Sequence, residues 1–84
     1  KKAPDDLCLE FLKRVEEEAW DQRNFVRKAT NWCLRQIGKR SKFLHPYAIA
    51  CAERIREQGT TSAKWIAADA LRELNSEAVL KRLK

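Results

Sequence analysis

The chain has 84 residues, enough for one small domain, and its 36% charged residues with only two glycines and two prolines favour helix over turn-rich folds. A formal net charge of +6 and the lack of any apolar run near eighteen residues exclude a membrane-spanning segment and direct attention to anionic partners. Three widely spaced cysteines without a C-x-x-C pair, and a lone His45, exclude a disulfide framework and offer no metal-ligand pattern.

No strand-like alternation and no Asn-Gly or Asp-Gly hairpin signal occurs, so the predicted class is all-α. The first helix is expected from Asp6 to Ala19, started by Pro4 and two aspartates. Leu7, Cys8, Phe11, Leu12, Val15 and Ala19 form its apolar stripe, and Glu16, Glu17 and Glu18 read as a solvated face. Trp20, at the corner that follows, reads as a packing wedge. The second helix is expected from Gln22 to Ile37, capped by Asp21 and stopped at Gly38. The third starts at Pro46 and ends before Gly59, with His45 at its start. Its Ala48, Ala50, Cys51 and Ala52 are small enough for neighbouring helices to approach closely. The fourth follows the Thr60-Thr61-Ser62 cap and reaches Leu74. A short fifth begins after Asn75-Ser76 and carries Ala78, Val79, Leu80 and Leu83.

An internal echo organises these helices. A shift of 37 residues places Leu34-Arg35-Gln36-Ile37 on Leu71-Arg72-Glu73-Leu74, Arg27 on Lys64 and Gly38 on Asn75. Helices one and two then form one hairpin, and three and four another. A period near 40 with paired helices is the signature of HEAT-type repeats, an α-solenoid of stacked antiparallel helix pairs. A plain four- or five-helix bundle is the competing arrangement. The absence of methionine and the opening on "KKAPDD" lead us to expect that residues 1–84 are one C-terminal helical-repeat fragment of a larger protein. Cysteines placed among apolar helix positions suit a reducing, cytoplasmic setting.

The charge is uneven. Arg23, Arg27, Lys28, Arg35, Lys39, Arg40 and Lys42 all fall between Gln22 and Ala52, a stretch without a single acid. Such crowding is either a solvated basic face or a surface for a polyanion. At about 100° per residue, Val26, Ala29, Cys33 and Ile37 share the expected buried side of the second helix. Arg27, Lys28, Asn31, Arg35 and Lys39 share another side, with Trp32 on the border and Phe25 on the same edge. The Trp32 ring either packs on a neighbouring helix with its edge showing or lies against nucleic-acid sugar or base, flanked by phosphate-binding cations. On the fourth helix, Trp65, Asp69 and Arg72 share the polar side. Trp65 is expected against the adjoining repeat, and Asp69 reads as a structural partner of Arg72. No phosphate-cradling glycine loop and no nucleophile–base pair is present.

"NFVRKATNWCLRQIGKRS" followed by "SAKWIAADALREL" resembles the C-terminal part of the bacterial DNA alkylation repair proteins, HEAT-like-repeat glycosylases acting on N3- and N7-alkylated purines. The likeness is densest from Arg23 to Leu74, and the W-x-x-R pair on a basic helix is its most telling element. It implies a curved stack of helical pairs whose basic concave face holds double-stranded DNA, acting as a monomer without metal or cofactor. Tryptophans and a carboxylate would contact the lesion nucleotide without enclosing the base in a pocket. Trp32 matches the later of those tryptophans, and Arg35 an arginine of the same helix that touches DNA. With the surrounding charge, the expected DNA-binding set is Lys28, Trp32, Arg35, Lys39, Arg40 and Lys42. The family's carboxylate belongs to an upstream helix, so no catalytic residue is assigned in this chain, and Asp69 does not match it by position. The alternative function is a non-enzymatic helical-repeat scaffold for a protein or structured RNA.

Overall fold

The computed structural model describes residues 4–83, which form α1 (Pro4–Glu18), α2 (Asn24–Arg40), α3 (Leu44–Arg56), α4 (Thr61–Leu74) and a short α5 (Glu77–Arg82). The all-α class and the order of four main helices and a short fifth are those expected from the sequence. Two caps act as their residue types require. The Thr60 hydroxyl accepts the Ala63 N–H (3.1 Å) before α4, and the Ser76 hydroxyl accepts the Val79 N–H (3.4 Å) before α5.

The start of α2 departs from expectation. The helix begins at Asn24, after Arg23, and Asp21 acts from outside it. The Asp21 carboxylate accepts the Arg23 backbone N–H (2.9 Å) and its guanidinium (2.6 Å). Those bonds hold its carboxyl below the ordinary value of 3.8. Gln22 is not helical. Its side-chain oxygen accepts the Ser62 N–H (2.8 Å), which ties the first loop to the start of α4. Helix α3 begins at Leu44 rather than Pro46, and Pro46 occupies its first turn, where a missing N–H costs nothing. The Ser41 hydroxyl accepts the Leu44 N–H there (3.2 Å).

Gly38 does not stop α2, which continues to Arg40 and turns at an extended Ser41. A Cβ at Gly38 would lie 2.5 and 2.8 Å from the two Leu74 methyl carbons and 3.0 Å from the Ala48 Cβ. The glycine is there for close packing. Gly59, just past α3, has φ +81° with open space around it, so its role is conformational.

Three contacts between helices share one separation. Asn31 meets Asp69, Arg35 meets Glu73 and Arg54 meets Glu16, each 38 residues apart, one more than the sequence echo. Thus α1 and α3 run parallel in one layer, and α2 and α4 run parallel in the other. Among the described residues, helices α1 and α4, which a closed bundle would pair, form no extensive interface. The molecule is two stacked helix pairs. Small residues let the layers close: Ala48, Cys51 and Ala52 of α3 and Ala63, Ala67 and Ala70 of α4 are fully buried, around Leu34, Leu44, Ile55, Ile66 and Leu74. The Cys51 thiol donates to the Leu12 carbonyl (3.5 Å), and burial pushes its pKa up to about 12. The His45 Nε2–H donates to the Leu74 carbonyl (2.7 Å), an assignment fixed by the carbonyl being acceptor only.

Three surface readings need correction. Trp20 is exposed beside Lys13 and Gln58 instead of wedged into the core. Leu7 and Phe11 are exposed, because the buried edge of α1 is carried by Leu12 and Val15, with Ala19 buried just past its end. Glu16 is not merely solvated, since it accepts from Arg54 (2.9 Å) across the layer.

The two glycines should respond differently to alanine. We expect Gly38→Ala to lower stability by about 1–3 kcal/mol through overpacking, and Gly59→Ala to cost roughly 1–2 kcal/mol through its backbone alone. In urea denaturation, Gly38→Ala should couple strongly to Leu74→Ala in a double-mutant cycle, and Gly59→Ala should not. Equal coupling for both would refute the packing role.

Candidate nucleic-acid interface

The basic stretch that is free of acids in sequence is not free of them in space. Helix α4 supplies Asp69 and Glu73, one turn apart on the side facing α2. The Asn31 amide donates to Asp69 (2.7 Å), Arg35 donates to Glu73 (2.6 Å), and the Lys39 ammonium donates to the other Glu73 oxygen (3.0 Å). Arg72 completes the Asp69 pair expected from the sequence. One turn earlier, the Arg27 guanidinium lies 4.9 Å from the centre of the Trp65 ring, so Trp65 does pack on the adjoining repeat. The seam is a ladder: Arg27, Asn31, Arg35 and Lys39 against Trp65, Asp69 and Glu73.

The ladder moves the buried arc of α2. Thr30, Asn31, Leu34, Ile37 and Gly38 are the buried residues, whereas Ala29 is exposed and Val26 and Cys33 are only half-buried. The expected stripe of Val26, Ala29, Cys33 and Ile37 is therefore displaced by roughly a quarter turn. The physical reason lies in the stack. Under the 37-residue shift, Ala29 and Cys33 correspond to Ile66 and Ala70, which are fully buried on the arc of α4 beside Asp69 and Glu73. On α2 that arc is only partly covered, and it borders an open groove of about 300 Å³ shared with Phe11 and Val15 of α1.

Trp32 stands opposite the buried arc, with 60% of its surface exposed. Phe25, at 69%, is on the same side with the Arg23 guanidinium 5.5 Å from its ring centre. Of the expected cations, Lys28, Arg40 and Lys42 are exposed and have no carboxylate partner among the described residues. Arg35 and Lys39 are half-buried and share Glu73. The six residues thus divide into an outward tryptophan, three free cations and two cations anchored from α4. Sequence reading missed Glu73 as their partner. The 37-residue echo carried the signal, because it sets α4 alongside α2 with Leu71 to Leu74 matched to Leu34 to Ile37.

Glu73 is held below its ordinary value of 4.5, first by its hydrogen bond from Lys39 and then by Arg35, against the opposing effect of burial. A depressed carboxylate contributes stability that is present above the unfolded value and lost as pH falls through the folded one. The melting temperature of the wild type should therefore drop more between about pH 5 and about pH 3 than that of Glu73→Gln. Parallel curves would remove the ladder from the stability argument. Trp32→Ala should change stability by no more than about 0.5 kcal/mol, whereas Leu34→Ala should cost about 2–5 kcal/mol. Thermal or urea melts separate these outcomes.

The family model described as DNA alkylation repair enzyme matches residues 3–74. No curated protein and no solved structure matches the chain. The chain belongs to the DNA alkylation repair enzyme family, which ties it to DNA repair; α5 lies beyond the matched span.

Proposed function

We propose that this family member forms the DNA-contacting C-terminal portion of a glycosylase that releases N3- and N7-alkylated purines from double-stranded DNA. The observation that carries the reading is the outward Trp32 ring, one turn from a free Lys28 and on the same helix as the anchored Arg35. The full-length protein acts as a cytoplasmic monomer without metal or cofactor.

The chemistry suits this division of labour. An alkylated purine carries positive charge and is already a good leaving group. The sugar it leaves develops oxocarbenium character, which an aromatic face and a carboxylate stabilise. Trp32 supplies the aromatic face. Lys28, Arg40 and Lys42 hold backbone phosphates, which position the duplex without reading its sequence. Arg35 gives one guanidinium nitrogen to Glu73 and keeps its Nε buried near Asp69, so Glu73 orients it and the remaining terminal nitrogen is the one to offer a phosphate. Asp69 is not the missing carboxylate, because Asn31 and Arg72 already occupy it and Arg35 lies nearby. The catalytic carboxylate is therefore assigned outside residues 1–84.

The isolated chain should bind duplex DNA without releasing 7-methylguanine above the spontaneous rate. Excision by the chain alone would overturn this and bring Asp69 back into consideration. Affinity should fall steeply with salt, by about 0.9 in log–log slope for each phosphate neutralised. Arg40→Ala and Lys42→Ala should each lower that slope by roughly one unit or less, equally for all sequences. A flat response in the wild type favours a scaffold for protein. In the full-length protein, Trp32→Ala should impair excision more than DNA binding.

A further inference from the structure

The last turn of α2, the first turns of α1 and the end of α5 surround an open cleft of about 450 Å³. Its polar walls are Gln36, Lys39, Arg40 and Arg82, with Cys8 and Leu83 beside them and no carboxylate among the described lining residues. Lys39 is turned to Glu73 by one hydrogen bond. Arg40 and Arg82 have no carboxylate partner among the described residues. Two guanidinium groups from different helices, neither paired to a carboxylate among the described residues, therefore face one cavity of small-ligand size.

A bland account exists for part of this. Cations in the last turn of a helix complement its dipole, which explains Lys39 and Arg40 on α2, and Arg82 on α5, each taken alone. It does not explain why the two basic helix ends share one cavity, where like charges repel. An anion between them relieves that repulsion. The chemistry of the walls narrows the choice. Guanidinium forks bind tetrahedral oxyanions through paired N–H donors, and the ammonium and amide add further donors. A phosphate diester meets this set: its two non-bridging oxygens share one charge and diverge tetrahedrally, so donors from separate walls can surround it.

We propose that this cleft holds one backbone phosphodiester of bound DNA, with Arg40 and Arg82 as its principal ligands and Lys39 and Gln36 at its edge. The site depends on α5, and the proposal rests on the DNA-binding reading of α2. It extends the contact surface past the family-matched residues to the end of the chain.

The test uses the whole chain, a fluorescent duplex and anisotropy between about 50 mM and 200 mM salt. Arg82→Gln should lower the salt slope by about 0.9, so that its affinity loss across this range is about threefold smaller than that of the wild type. Lys81→Gln is the control. It removes a cation from the same helix, but Lys81 is paired with Glu77 (3.6 Å) and lies outside the cleft. Its slope should change much less. At matched ionic strength, inorganic phosphate should compete with the duplex on the wild type and not on Arg82→Gln. An unchanged slope for Arg82→Gln, or equal changes for both variants, overturns the cleft while the DNA reading stands. Phosphate binding that needs Arg82 in a wild type that binds no duplex overturns the DNA source and makes the cleft a site for a free anion. Circular dichroism melts of both variants should match the wild type, which separates lost contact from lost fold.

Discussion

Helices approach one another closely where Gly38 has no side chain. Leu74 and Ala48 fill the space a Cβ would need, so α2 settles against α3 and α4 at a distance that larger residues would prevent. That distance brings Asn31, Arg35 and Lys39 within hydrogen-bonding range of Asp69 and Glu73. The ladder in turn fixes the rotation of α2, and that rotation turns Trp32 away from the core. A steric fact at one residue thus decides which side chains the protein shows to solvent.

The electrostatics follow from the same arrangement. In sequence, the positive charge is concentrated in α2 and the loop after it. In space, α4 neutralises the middle of that run and leaves its ends. Lys28 remains near one end, and Arg40 and Lys42 near the other. The two anchored cations lose side-chain freedom on folding, so they meet a ligand with less entropy left to lose. The free ones keep their mobility and reach.

Much of this fold was legible in the sequence. Helix-forming composition, the Thr60 and Ser76 caps and the 37-residue echo led to five helices in paired layers. The faces of α2 were harder to read. Apolar periodicity identified Val26, Ala29, Cys33 and Ile37 as one stripe, but periodicity does not say whether a neighbouring helix covers it. Asn31 was grouped with the charged side because an amide usually prefers water, yet it is 3% exposed, with its amide nitrogen donating to Asp69. Gly38 looked like a terminator because glycine often ends helices, and only the position of Leu74 shows its other use. The candidate site had the same limit. Residue types identified the cations and Trp32, while the partner that sorts those cations sits 34 to 38 residues away.

Cys51 has a chemical consequence for a protein whose family deals with DNA alkylation. The thiolate is the form that attacks electrophiles, and a thiol held near pKa 12 in a sealed layer supplies almost none of it at neutral pH. Its proton is directed to the Leu12 carbonyl, and no solvent reaches the sulfur. The half-buried Cys33 is shifted the same way by its surroundings. A methylating agent that damages DNA would find soft nucleophiles in this protein too, yet the sulfur whose modification would push α1 and α3 apart is the one least able to react. The packing that joins the two helix pairs also shields that joint from electrophiles.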